Sequence, residues 1–313
     1  MNIITEIKRM ANARIDGSAE CLRGIRSSRV ILHLITIGVL AGFLLPLHSG
    51  VMTSIKTPSE FAETLPMVPP NIGSITIEPW TVAFETLSTS MINSLMFTIP
   101  AMVGSAVLGS IAAYGLTMVD WRGQVGIMSL FVAAIFVPKQ ALLVPISRFW
   151  SIVDLQGILA NLGPLNLWAL PFLQPYHATI FELAVYHTVF GISICTLLFR
   201  GYYLTIDQSL IEAAKLDGAS FFATYWHIIR PLSYPMFAVV CIFQFTQIWN
   251  EFLFGLVLSS GTQAAPATVT LNDLNSGYAQ LYNRQAAGAF IVAIPTLLVY
   301  LMFGDKFAKA QEY

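Results

Sequence analysis

Arg200-Gly-Tyr-Tyr-Leu-Thr-Ile-Asp-Gln-Ser-Leu-Ile-Glu-Ala-Ala-Lys-Leu-Asp-Gly-Ala-Ser-Phe-Phe-Ala-Thr-Tyr-Trp-His-Ile-Ile-Arg-Pro231 is a polar interruption in an otherwise apolar chain. Local physics predicts two short helices here. Thr205 or Asp207 caps the first, because a side-chain oxygen accepts an N–H that has no partner in the first turn. Gln208–Leu216 holds good helix formers. Leu210, Ile211, Ala214 and Leu216 are expected to form an apolar stripe. Gly218 suits the left-handed position that closes a helix. Ser220 caps the second helix, which is expected to run until Pro231 stops it. The pattern predicts an amphipathic helix projecting from its surroundings, then a second helix leading back.

Those surroundings are hydrocarbon-like. Six apolar runs stand out: Val30–Met52, about Ile92–Thr117, about Val125–Ile146, about Ala178–Phe199, about Pro235–Leu258 and about Ala286–Phe303. Each is long enough to cross a bilayer core of roughly 30 Å as a helix, and a helix satisfies its own backbone in lipid. The fold class expected is therefore an all-α integral membrane protein with six transmembrane helices. Gly104, Ser105, Ala106, Gly109, Ser110, Ala112, Ala113 and Gly115 line the second run, where small residues let a neighbouring helix approach. Leu155–Phe181 carries no charge but contains Pro164, Pro171 and Pro175. It reads as an external loop with a short, partly buried helical piece, with a seventh span as the alternative.

Of 313 residues, 56% are hydrophobic and only 11% charged, against ~25% in soluble domains. That excludes an ordinary cytosolic enzyme and a disordered chain. A net charge of −1 leaves no basic face for nucleic acid. Cys21, Cys195 and Cys241 are too few and scattered for a disulfide framework or a zinc site. Charge placement sets orientation. Lys8, Arg9, Arg14, Arg23, Arg26, Arg29, Arg122, Arg200, Lys215, Arg230, Lys306 and Lys309 fall on one side of the six-span scheme; Lys56, Lys139, Arg148 and Arg284 fall on the other. Both termini are therefore expected in the cytoplasm. Residues 1–29 are expected to be a basic cytoplasmic segment, either a surface helix on anionic lipid or a solvated tail. Residues 30–307 form the membrane domain, and 308–313 a cytoplasmic tail.

The Glu212-Ala213-Ala214, Gly218, Ile228 and Pro231 spacing resembles the EAA loop of bacterial and archaeal ABC importer permeases. Asn93-Ser94-Leu95, Ile111-Ala-Ala-Tyr114-Gly115, Arg200-Gly201-Tyr202-Tyr203 and Trp249-Asn250-Glu251-Phe252 resemble carbohydrate-uptake permeases, in particular the G-type subunit of maltose-like importers. Arg230 departs from the family's usual Leu. The stretch Ser151–His177 and the lead before residue 30 are longer than usual. The resemblance implies a type I ABC importer permease fold whose cytoplasmic loop helix docks in a groove on an ATPase. Glu212 would make polar contacts there, Ala213 and Ala214 would permit close packing, and Asp217 and Gly218 would lie at the turn between the helices. The implied partners are a second permease subunit, two ATPase subunits, an extracytoplasmic solute-binding protein, membrane lipid and a sugar-like substrate, in a bacterial or archaeal cell membrane.

No Gly-x-x-x-x-Gly-Lys-Ser/Thr loop occurs, so the chain is expected to bind no cofactor itself; ATP and magnesium would belong to the ATPase partner. No metal-ligand spacing and no catalytic elbow appears. Ionisable and amide residues within spans are pathway candidates. Gln244, Gln247 and Glu251, at i, i+3 and i+7, are expected to share a helix face. With Trp249 and Asn250 they offer the aromatic and polar surface that a sugar needs; polar contacts between helices are the alternative. Lys139 either snorkels to the interface or joins the pathway. Glu182 and His187 lie in the fourth run, and His187 reads as a helix–helix hydrogen-bonding residue. An ion-coupled secondary carrier or channel is the competing function, although no inverted repeat is evident. A membrane-embedded enzyme lacks a catalytic constellation.

Overall fold

The structure is a computed structural model that describes residues 3–119, 121–162, 166–259, 263–274 and 281–310, with side chains described between 29 and 303. The expectations for the side chains of 1–28 and of the tail 308–313 lie outside the described residues. Among the described residues, regular structure is helical apart from one isolated bridge, Lys56–Ile75. The chain forms two compact units, Met1–Ile77 and Glu78–Tyr313.

In the first unit, α1 (Ile3–Ser54) contains the apolar stretch Arg29–Ser54 and carries Pro46 within it. The chain then ties a small polar knot. Thr57 caps α2 (Pro58–Glu63), with Pro58 in the first turn, where its missing N–H costs nothing. The buried Lys56 ammonium donates to the Thr64 hydroxyl at 2.9 Å and to the Leu65 carbonyl at 2.8 Å. Glu60 accepts from the Asn71 N–H at 2.7 Å and from the Ser74 hydroxyl. A buried ammonium and carboxylate are tolerated because each is hydrogen-bonded.

The second unit is built on α3 (Glu78–Thr117) and α7 (His177–Tyr203), its most extensively packed pair. At ~1.5 Å per residue the 40 residues of α3 reach about 60 Å, well beyond the hydrocarbon core. The small residues of the second run do bring helices together. A Cβ on Gly109 would collide with the Cβ of Cys195 and stand 3.0 Å from the Thr196 backbone nitrogen. Around this pair pack α4 (Gln124–Phe136), α11 (Tyr234–Trp249), α13 (Ala267–Asp273) and α14 (Tyr282–Ala310). Outward-facing Val125, Phe136, Leu297 and Leu301 are exposed, an arrangement suited to lipid rather than water.

Two runs differ from the sequence expectation. The third is not one helix. It stops at Phe136, with Val137 extended, because Pro138 has no N–H to donate and crowds the residue before it. After a 3₁₀ turn, α5 (Leu143–Val153) and α6 (Leu155–Ala160) follow. The 22 residues Lys139–Ala160 are apolar enough to span, whereas α4, at about 20 Å, is short of the ~30 Å core. The helical piece expected in the external stretch is α6, and no α6 residue is fully buried. The fifth run also breaks: α11 ends at Trp249, and α12 (Leu253–Leu258) is separate. Among the described residues, five helical stretches are long and apolar enough to cross a membrane. A sixth is the pair Phe221–Leu232 and Tyr234–Trp249, bent by 76°.

Candidate functional site

The polar loop after α7 forms as its local signals require. Asp207, rather than Thr205, caps α8 (Gln208–Leu216): its carboxylate accepts the Ser209 N–H at 2.9 Å. That bond holds the Asp207 carboxyl below its ordinary pKa. Gly218 takes φ +77°. Its N–H bonds the Lys215 carbonyl at 3.1 Å, while the Ala219 N–H reaches back to Ala214 at 2.9 Å. This is the paired closure of a Schellman motif, with Asp217 as the C-cap residue. The Ser220 hydroxyl then accepts the Ala223 N–H and starts α9 (Phe221–Thr224).

Pro231 does not stop the second helix. A π-turn at Tyr225–Ile229 widens the ladder and absorbs the missing donor, and α10 (Arg230–Leu232) carries the chain through the proline to Ser233. Arg230 lies with its guanidinium 3.9 Å from the Trp226 ring centroid, a cation–π contact that an aliphatic residue at this position could not make.

The expected apolar stripe of α8 divides between two faces. Ile211 and Ala214 are buried, and Ile211 joins a core cluster with Ala106, Tyr114, Phe199, Tyr203, Tyr225 and Val240. Ser209, Glu212, Ala213 and Leu216, at i, i+3, i+4 and i+7, are all exposed, Leu216 at 89%. Ile228 is half-buried, and Asp217, Gly218 and Pro231 are exposed. The loop thus presents a short acidic and apolar face outward while its opposite face is built into the helical core.

A second site lies among α4, α7 and α11. A half-open cavity of about 210 Å³ is lined by Lys139, His187, Gly191, Gln244 and Gln247 together with apolar side chains. The Gln244 carboxamide donates to the Ser105 hydroxyl at 2.9 Å. The His187 ring stacks on Phe97 at 5.7 Å. Glu182 is outside this lining.

The five pathway candidates do not assemble as one face. Gln244 and Gln247 share the cavity wall. Trp249 is buried, and its indole N–H donates to the Val292 carbonyl on α14 at 3.0 Å. Asn250 turns back onto the Thr246 carbonyl. Because α11 ends at Trp249, Glu251 leaves the expected i+7 position. Its carboxylate instead accepts the Phe254 N–H at 3.1 Å and the Gly255 N–H at 3.3 Å, at the start of α12. Among the described residues, no group of three or more His, Cys, Asp or Glu could hold a metal.

Sequence reading did not bring Ser110, Tyr203 and Tyr225 together. Ser110 and Tyr203 are completely buried and Tyr225 almost so, and the Ser110 hydroxyl meets Tyr203 Oη at 2.6 Å and Tyr225 Oη at 2.9 Å. The only signal available was the clustering of tyrosines around the loop, which does not specify a partner on α3.

Residues 92–304 match the family model described as the binding-protein-dependent transport system inner membrane component. The xylose/arabinose import permease protein XacI of Haloferax volcanii is 44% identical over 294 residues, covering 93% of this chain and 94% of that protein. The glucose import system permease protein GlcU of Saccharolobus solfataricus is 28% identical over 292 residues, covering 91% of this chain and 93% of that one. A chain of a bacterial ABC transporter involved in import of the acidic polysaccharide alginate has the same fold, with a TM-score of 0.62 at 20% identity over 90% of this chain and 98% of that one. A chain from a bacterial alginate ABC transporter in complex with an alginate pentasaccharide-bound periplasmic protein gives a TM-score of 0.59 at 15% identity, over 87% of this chain and 92% of that one.

Proposed function

This chain belongs to the family of binding-protein-dependent transport system inner membrane components, and from that premise we propose that it is the permease subunit of an ATP-driven ABC importer for a sugar, oligosaccharide or related polyol. The observation that carries the mechanism is the two-sided α8. One face is exposed, with Glu212, Ala213 and Leu216, and the other is fused to the membrane core through Ile211 and Ala214. A helix so placed transmits displacement: a partner that grips the outer face moves the spans attached to the inner one.

The partner gripping that face is an ATPase subunit, one of two, which holds the ATP and magnesium. Glu212 supplies a polar contact at the groove, and Ala213 leaves room for close approach. A second permease completes the channel, and an extracytoplasmic binding protein delivers the substrate. The excess of Lys and Arg on the α8 side supports an orientation with both termini in the cytoplasm. Within this chain, Gln244 and Gln247 line the substrate path beside Lys139 and His187, since a cavity with amide side chains and a lysine on apolar walls suits a hydroxyl-rich ring.

The decisive experiment is affinity purification of the tagged chain from membranes, followed by uptake assays. An ATPase subunit should co-purify, and Glu212→Ala and Gly218→Val should abolish uptake. Normal uptake by both variants would sink the coupling mechanism. Uptake that persists without ATP but collapses with an ion gradient would favour a secondary carrier. A reporter fused at Asn161 should be external and one at Leu216 cytoplasmic; the reverse would overturn the orientation.

A further inference from the structure

The coupling loop is joined to the spans by more than apolar packing. Ser110 on α3, Tyr203 at the end of α7 and Tyr225 in the π-turn beyond α8 bring three hydroxyls to one buried point. A hydroxyl left unpaired there would carry a desolvation cost, so the three specify one another's positions. The surrounding contacts are of the same kind. The Tyr114 ring packs on Phe221 at 4.7 Å and on Tyr225 at 5.5 Å. The Tyr202 hydroxyl donates to the Leu232 carbonyl at 2.7 Å, tying α7 to α10. Immediately before Ser110 on α3, Gly109 brings α3 and α7 so close that no Cβ fits between them. Apolar contacts alone would let the loop slide along the helices, whereas hydrogen bonds of fixed direction resist sliding.

We infer that Ser110, Tyr203 and Tyr225 are positioning residues that lock the coupling loop to α3 and α7, so that loop and spans move as one body during the transport cycle. They touch neither nucleotide nor substrate and act through α8. This rests on the reading of the chain as an ABC importer permease. Without the lock, displacement of α8 would be taken up within the loop before reaching the spans.

The test uses the complete importer, purified through the tagged chain and placed in lipid nanodiscs. Spin labels go on Lys215→Cys, exposed on α8 to one side of the Ser209, Glu212, Ala213 and Leu216 face, and on Gly201→Cys, where an added Cβ meets nothing within 4 Å. A control without introduced cysteines reports any labelling of Cys21, Cys195 or Cys241. The label-to-label distance is measured without nucleotide and with ATP in the absence of magnesium. With the native triad it should be the same in both states. In Tyr225→Phe, and separately in Ser110→Ala, it should shift between states by about 2 Å or more, the scale of helix displacements in such transitions. A role confined to folding would lower the yield of complex and leave the distance constant in what assembles. A distance that already changes in the native chain, or that stays constant in both variants, would overturn the inference. Failure of any ATPase subunit to co-purify with the unmodified chain would instead overturn the importer reading.

Discussion

The Gln244 carboxamide on α11 donates to the Ser105 hydroxyl on α3, and the bond passes against Gly191 of α7, where there is no room for a side chain. A Cβ at 191 would strike the Gln244 nitrogen and stand 2.6 Å from the Ser105 Cβ. Three helices therefore meet at one point, with a polar bond satisfied in the buried core between them.

Gly191→Ala should break that junction. The glutamine end can turn aside, but the Ser105 Cβ is fixed to the α3 backbone. Overpacking of this kind costs roughly 1–3 kcal/mol. The thermal midpoint in detergent should fall, whereas Gly126→Ala on α4, with nothing within 4 Å of the added carbon, should keep it or raise it slightly. Equal midpoints for the two variants would contradict the packing.

At Gly218 the constraint is backbone conformation alone, since an added Cβ meets nothing within 4 Å but φ is +77°. The left-handed region costs an ordinary residue about 1–2 kcal/mol, and Asn less. Hydrogen exchange in α8 should therefore rise strongly in Gly218→Val and only slightly in Gly218→Asn. Identical protection in both would show that the Schellman closure is not what ends the helix.

Glu251→Ala should loosen α12, because the Phe254 and Gly255 N–H groups lose their acceptor. The expected loss is about 1 kcal/mol, typical of a helix start deprived of its carboxylate. Glu251→Gln keeps an acceptor and should lose less. The readout is amide exchange at 254 and 255, with uptake measured alongside; a faster uptake defect than exchange defect in Glu251→Gln would return the residue to the pathway.

The knot beyond α1 should loosen in acid. The Ser74 hydroxyl and Asn71 N–H, with the Lys56 charge, hold the Glu60 carboxyl below its ordinary pKa. A depressed folded value means that its stabilisation is complete above the unfolded pKa of about 4.3 and is lost as pH falls through the folded value. Protection of the Asn71 amide, corrected for intrinsic exchange, should hold from neutral pH down to about pH 5 and fall as pH drops below about 4.3, and the fall should vanish in Glu60→Gln. Unchanged protection in the native chain would remove Glu60 from the knot's stability.

Legibility followed the range of the interactions. Asp207, Gly218 and Ser220 were readable as caps because each bonds within five residues of itself. The third run was misjoined because hydropathy summed across Pro138 takes no account of a missing donor. The Gln244–Gln247–Glu251 face failed for a related reason: periodicity assumes a continuing helix, and α11 ends at Trp249.

The sequence by itself determined that this is a helical membrane chain with an amphipathic loop helix, because lipid demands long apolar runs and helix ends demand caps close in sequence. Only the tertiary structure decided which face of α8 is free, that Trp249 packs on α14, and that Ser110 holds Tyr203 and Tyr225. Those hydroxyl partners lie 93 and 115 residues away. A buried polar group must find a partner, but nothing in its neighbouring residues says which one the packing of three helices will bring to it.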